Sequence, residues 1–137
     1  MFLPAMATIL VVDDDEDIRS LLRKHLYDAG YDVLVAEDAV LAGKMVVEHA
    51  PDLMILDVNM PYMDGFEFAE AIKFDPDIPY FPVIFLTVRD DGRDRARALG
   101  AVAYVEKPVT GAQVVEVVRR YVRPDRPPVV TSWSAEL

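Results

Sequence analysis

Five short apolar runs recur along this chain, separated by stretches too long for hairpin turns and patterned like helices. The runs are Thr8-Ile9-Leu10-Val11-Val12, Val33-Leu34-Val35-Ala36, Leu53-Met54-Ile55-Leu56, Val83-Ile84-Phe85-Leu86 and Ala103-Tyr104-Val105. Runs rich in β-branched residues, without polar alternation, suit strands covered on both faces. Between them, Ile18, Leu21, Leu22, Leu26 and Ala29 recur at helical spacing before Gly30, and Ala39, Ala42, Met45 and Val46 before Pro51. Further helices are expected from Phe66 to Lys73, across Arg93 to Leu99 with a stop at Gly100, and through Val114, Val117, Val118 and Tyr121. Strands alternating with helices pair in parallel through right-handed crossovers. The expected class is therefore α/β, a doubly wound five-stranded parallel sheet with helices on both faces.

The chain has 137 residues, enough for one domain. Residues 1–7 read as a leader, with Met6 as an alternative start, and residues 8–122 as the domain. Residues 123–137 read as a Pro-rich tail or linker stub containing Trp133, so the chain is either a stand-alone domain or one cut from a longer protein. The apolar N-terminus lacks a basic region and runs into Asp13-Asp14-Asp15-Glu16-Asp17, which is no signal peptide. No apolar run is long enough for a bilayer, and a cytoplasmic location is expected. A formal charge of −10 repels a phosphate backbone and argues against direct nucleic-acid binding. With no cysteine, disulfides and thiolate chemistry are excluded, and two histidines are too few for a histidine-rich metal site.

In such a sheet, ligands collect beyond the carboxyl ends of the strands. Asp13 and Asp14 follow the first run, Asp57 the third, Thr87 the fourth and Lys107 the fifth. Converging carboxylates raise one another's pKa unless a cation sits among them, and a hard, oxygen-seeking divalent ion such as Mg²⁺ meets that need. Single acidic residues at strand ends are ordinarily solvated. Five reactive groups at the ends of four strands are poorly explained that way.

Asp13-Asp14, the stretch from Leu56-Asp57-Val58-Asn59 through Met60-Pro61-Tyr62-Met63-Asp64-Gly65, Thr87, and Tyr104-Val105-Glu106-Lys107-Pro108 occur in an order that resembles the receiver domain of two-component response regulators. The resemblance is to the chemotaxis-regulator kind and runs from about Thr8 to Val122. It implies a flavodoxin-like sheet of order 2-1-3-4-5. It also implies that Asp57 accepts a phosphoryl group from a histidine kinase or a histidine phosphotransfer protein. Asp14 and Asp57 would hold Mg²⁺ directly, with Mn²⁺ as a substitute, Asp13 acting through water and Asn59 through its backbone carbonyl. Lys107 would pair with the phosphoryl group and Thr87 would hydrogen-bond to it, with Tyr104 as the coupled switch aromatic. Lys107-Pro108 is expected to be cis, and Gly65 to serve the backbone of the loop after Asp57. Asn59, Val88 and Arg89 occupy positions that tune phosphoryl lifetime in that family. A downstream protein would read the altered face, and a phosphorylation-dependent homodimer is a further expectation.

The interval from Thr87 to Lys107 is about two residues short for the family, so a short or displaced fourth helix is expected there. A kinase would dock near Ile18, Arg19 and Leu22. Two other functions compete with a phosphorylation switch that turns over no separate substrate. A phosphorylation-independent scaffold would have no need of the intact reactive set. A phosphatase with an aspartate nucleophile needs an acid/base aspartate two residues on, where Asn59 stands. A calcium loop fails because Ile18 replaces its glycine and Lys24 its bidentate glutamate, and no dinucleotide or P-loop glycine pattern occurs.

Overall fold

The computed structural model describes residues 6–125. Most of the expected leader, with Met1, and the tail from residue 126, with Trp133, lie outside the described residues. Strands and helices alternate strictly: β1 Thr8–Val12, α1 Glu16–Asp28, β2 Asp32–Ala36, α2 Ala39–His49, β3 Leu53–Leu56, α3 Gly65–Phe74, β4 Val83–Thr87, α4 Arg93–Ala98, β5 Ala103–Glu106 and α5 Gly111–Arg119. Every strand pair is parallel, in the order β2-β1-β3-β4-β5, the flavodoxin-like sheet expected from the sequence.

Successive strand residues face opposite sides of a sheet, so each apolar run feeds two cores. Ile9, Val11, Ile55, Ile84 and Leu86 pack under Leu22 and Leu26 of α1 and Val114 and Val118 of α5. Leu10, Val12, Met54, Leu56 and Phe85 pack under Ala42 and Val46 of α2, Phe66, Phe68 and Ile72 of α3 and Ala96 of α4. Each fully buried Leu, Ile or Phe contributes about 1.5–3 kcal/mol relative to exposure.

Acidic residues that look like one surplus in the sequence have separate local tasks. Asp15, Asp38 and Asp64 accept N-terminal amides of α1, α2 and α3, and Thr110 does so for α5. Asp64 with Glu67, and Thr110 with Gln113, close reciprocal capping boxes, and such caps contribute about 1 kcal/mol each. Helix α4 has six residues and is preceded at its N-cap by Gly92, which offers no capping side chain.

Several boundaries differ from the sequence reading: β4 extends to Thr87, α3 gains a residue at each end, and α4 stops at Ala98. β2 starts at Asp32, β5 extends to Glu106, and α5 ends before Tyr121. Tyr121 leaves the helical stripe because the chain tightens there, its N–H reaching Val118 O, while its hydroxyl donates to Val102 O at 2.9 Å. At the amino end of the sheet, packing continues to Ala7 on one side and Pro124 on the other. Ala7 is fully buried, its N–H donates to Pro124 O at 2.7 Å, and its carbonyl accepts from Asp32 N. Pro124 sits against Gly30, whose φ of 103° and missing side chain permit the turn and the contact. Tyr31, fully buried, donates its hydroxyl to Val122 O at 2.5 Å.

Candidate functional site

The carboxyl ends of neighbouring strands are joined by backbone hydrogen bonds one residue past the regular ladder. Asp13 N donates to Ala36 O at 3.1 Å, Asp57 N to Val12 O at 2.9 Å, and Lys107 N to Thr87 O at 2.8 Å. These bonds set Asp13, Asp57, Thr87 and Lys107 along one rim. Asp13, Asp57 and Thr87 are the buried polar residues of the described chain, at 2%, 5% and 0% exposure, while Asp14 is exposed.

Lys107 Nζ donates to Asp13 Oδ2 at 2.8 Å and to Asp57 Oδ2 at 3.3 Å. Asp13 Oδ1 accepts from Asp15 N, and Asp57 Oδ1 from Asn59 N at 3.3 Å. One carboxylate oxygen from each of Asp13, Asp14 and Asp57 lies within 4.8 Å of the others. Three carboxylates against one ammonium leave two negative charges in a mostly buried site. Burial pushes the Asp13 carboxyl above its ordinary value, reinforced by the charge of Asp57, and the Lys107 and Asp15 hydrogen bonds offset only part of this. For Lys107 burial acts downward, but the two carboxylates outweigh it and hold the ammonium above the usual lysine value.

Local backbone geometry supports this arrangement. A Cβ at Gly65 would collide with the carbonyl oxygen of Asp57, so the loop after β3 folds back only over a glycine. Gly65 N also donates to Val58 O at 2.8 Å. The Lys107–Pro108 peptide is cis.

The remaining residues singled out in the sequence lie in the loop after β4 and on β5. Thr87 Oγ1 accepts from Arg89 N at 3.4 Å. The Arg89 side chain pairs with Asp91, at 3.0 and 3.3 Å, over the Phe66 ring. Val88 is 66% exposed. The Tyr104 ring packs on Phe85, and its hydroxyl donates to Arg89 O at 2.7 Å, tying β5 to the loop that starts at Thr87.

Sequence reasoning missed three contributors. Arg19 donates to the Asp13 carbonyl at 2.8 Å, which locks the first turn of α1 to the rim. Gly92 makes room where a Cβ would fall 2.6 Å from Phe66 and 2.7 Å from the Tyr104 hydroxyl. Arg93 reaches Glu106 at 2.7 Å and lies over the Tyr104 ring. A glycine just before a short helix was the available signal for Gly92; the two arginines carried none. Of the suggested docking residues, Leu22 is buried in the core, and Ile18 and Arg19 are half-buried.

A doubly wound sheet with this acidic rim defines a class, and comparison with known proteins supplies the family. The chain belongs to the response regulator receiver domain family, whose model matches residues 9–119. It is 40% identical over 119 residues to an uncharacterized 14.6 kDa protein of Leptolyngbya boryana, covering 85% of this chain and 91% of that one. It is 37% identical to the response regulator MprA of Mycobacterium leprae over 87% of this chain but only 52% of MprA. The chain thus spans about half the length of MprA and of the other full-length regulators it matches, such as PhoP of Bacillus subtilis at 48%. Among solved structures, the chemotaxis protein CheY4 of Vibrio cholerae superposes with a TM-score of 0.79 at 34% identity, over 85% of this chain and 98% of that one. TrrA of Thermotoga maritima, solved in complex with Mg²⁺ and BeF, gives 0.75 at 34% identity, over 84% and 98%. Receiver domains are phosphoacceptor signalling modules rather than substrate-turnover enzymes.

Proposed function

We propose that this chain is a phosphorylation-activated switch, a receiver that takes a phosphoryl group on Asp57 and exchanges partners in response. The observation that carries the reading is the trio Asp13, Asp14 and Asp57 within one ion's reach, with Lys107 bridging Asp13 and Asp57. The donor set fits Mg²⁺, or Mn²⁺ in its place: the ligands are hard oxygens, and the excess of two negative charges matches a divalent cation. Asp14 and Asp57 would hold the ion directly, with Asp13 through water and the Asn59 carbonyl completing the protein's share. When bound, the ion neutralises the carboxylates and the incoming phosphoryl oxygens, the main electrostatic requirement of phosphoryl transfer.

The chemistry balances without a further reactant. An Asp57 carboxylate oxygen attacks phosphorus and the P–N bond to the donor histidine breaks. The imidazole nitrogen keeps the electron pair, and an acyl phosphate remains on Asp57. Lys107, already beside Asp57, pairs with the new charge, and Thr87 donates its hydroxyl to a phosphoryl oxygen. Movement of Thr87 carries the loop that Tyr104 holds through Arg89 O, altering the face formed by α4, β5 and α5. Asn59, Val88 and Arg89 border the site and set how long the acyl phosphate survives. The donor is a histidine kinase or histidine phosphotransfer protein in the cytoplasm, the readout a downstream protein or a second phosphorylated copy. The domain of residues 8–122 then needs no nucleic-acid contact and no membrane of its own.

Intact mass after incubation with acetyl phosphate tests the reading. One phosphoryl increment is expected with Mg²⁺, and none with chelator or in Asp57→Asn. A folded wild type that gains no mass with excess Mg²⁺ would overturn it in favour of a phosphorylation-independent scaffold.

A further inference from the structure

The loop between β4 and α4 turns into its helix at a residue with no side chain. Gly92 is buried at the N-cap of α4. Capping does not explain it, because Ser, Asp or Asn would offer an oxygen to the first turn, as Asp15, Asp38 and Asp64 do for their helices. Backbone conformation does not explain it either: φ is −103° and ψ is 2°, which other residues adopt. Space does. A Cβ there would fall 2.6 Å from Phe66 Cζ and 2.7 Å from the Tyr104 hydroxyl oxygen.

These two neighbours lead to different parts of the site. Phe66 follows Gly65, whose backbone is pressed against the Asp57 carbonyl and bonded to Val58 O, so its ring is tied to the loop after β3. That ring is fully buried against Phe85 at 5.0 Å, with the Arg89 and Arg95 guanidiniums over it. Tyr104 is half-buried on the edge strand β5, between Phe85 and the Arg93 guanidinium. Its hydroxyl donates to Arg89 O, and Arg89 N donates to Thr87 Oγ1. The two backbone groups of Arg89 thus link the Thr87 and Tyr104 hydroxyls. A side chain at position 92 would have to displace one ring. Phe66 is boxed in, whereas Tyr104 can swing to solvent and give up Arg89 O.

We propose that Gly92 is a positioning residue for Thr87. The notch left by its missing side chain seats Tyr104 against Phe66, and only with the notch open does the Thr87–Arg89–Tyr104 link couple the acidic rim to the α4–β5 face. The inference rests on the reading of Asp57 as phosphoacceptor and adds the residue that decides whether that face answers to it.

Fluorine NMR of protein carrying meta-fluorotyrosine tests the notch, with the Tyr104 resonance identified by its loss in Tyr104→Phe. Tyr31, buried at the far end of the sheet, reports an intact fold. In Gly92→Ser, relaxation of the Tyr104 resonance by a neutral gadolinium chelate should rise severalfold, with Tyr31 unchanged. Capping alone predicts a strengthened helix and an undisturbed Tyr104. Mg²⁺ with beryllofluoride, the pair present in the TrrA structure, then probes the coupling. It should shift the Tyr104 resonance of wild type, and the shift should be lost in Gly92→Ser. Should Gly92→Ser lose its fold, Gly92→Ala in a Phe66→Leu background removes one of the two collisions and puts the same question to Tyr104 alone. A Tyr104 no more exposed in these variants than in wild type would overturn the proposal. So would an exposed Tyr104 that keeps its full response to the probe, or a wild-type Tyr104 that ignores the probe although Asp57 gains mass from acetyl phosphate. A wild type that gains no mass removes the Asp57 reading instead, whereas the relaxation comparison, made without metal, judges the notch by itself.

Discussion

The two ends of one sheet are finished in opposite ways. At the amino end, Tyr31 reaches Val122 O, Ala7 N reaches Pro124 O, and the Asp52 carboxylate accepts from Thr8 N at 2.7 Å. Each buried polar group there has a partner, and the surroundings are apolar. At the carboxyl end, Asp13 and Asp57 are buried together with one ammonium between them. Desolvation and like-charge repulsion work against the fold at that rim, and a cation or an incoming phosphoryl group changes the balance. One end closes the domain. The other leaves a charge excess that ligand chemistry can use.

The contrast is sharpest in how each end responds to Mg²⁺. Tyr31→Ala is expected to cost about 3–5 kcal/mol, because it leaves a large cavity and an unpaired Val122 carbonyl. Lys107→Met is expected to cost about 3 kcal/mol, because two buried carboxylates lose their counter-charge. Urea unfolding should therefore show both variants weakened. Mg²⁺ at a hundred times its Kd adds about 2.7 kcal/mol wherever it binds only the folded state. Against Mg²⁺-bound wild type at one common ion concentration, the Lys107→Met deficit should narrow, because a site stripped of its ammonium holds the cation more tightly, while the Tyr31→Ala deficit stays unaltered. Equal relative rescue of both variants would erase the distinction between the ends.

Much of this was readable from the chain, for reasons tied to particular residues. Strand ends were legible because a run such as Leu53-Met54-Ile55-Leu56 stops abruptly at Asp57, and the parallel topology then puts Asp13, Thr87 and Lys107 on the same rim. The short α4 followed from the spacing between Thr87 and Lys107. Contacts set by long-range backbone approach were not legible. Arg19 reads as a docking residue until the β1–α1 turn brings it to the Asp13 carbonyl, and Tyr121 fits a helical stripe until the chain turns to Val102 O. The closure of the base by Ala7 and Pro124 was hidden because both fell in segments whose composition reads as leader and linker.

pH provides a finer test. The Asp13 carboxyl is raised in the folded protein, chiefly by burial, so the folded state holds that proton more tightly than the unfolded chain. Its contribution is most favourable below the ordinary value of 3.8 and declines as pH rises through the raised folded value. The stability of wild type minus that of Asp13→Asn should therefore fall with rising pH across that window in chelator. Mg²⁺ should flatten the fall, because the ionised carboxylate is the form a cation favours. Lys107 acts in a different range: its raised value maintains a contribution that is lost only as pH climbs past the usual lysine range. A difference curve that rises through the acidic window would refute burial as the governing influence on Asp13.

The smallest expected effect isolates burial as the cause of the contrast. Lys24 and Asp28 are paired at 3.0 Å on α1, a distance close to that between Lys107 and Asp13, but their side chains are 73% and 61% exposed. Water solvates both partners whether or not they touch, and salt screens the attraction. Lys24→Met is thus expected to change unfolding free energy by no more than about 0.5 kcal/mol, the scale of i,i+4 pairs on helices, and the change should shrink further in high salt. The Lys107→Met loss should persist under the same salt, because the carboxylates it strands are out of reach of bulk ions. Similar salt sensitivity in the two variants would mean that the rim is wetter than its geometry implies, and the charge excess assigned to it would be screened before any cation arrived.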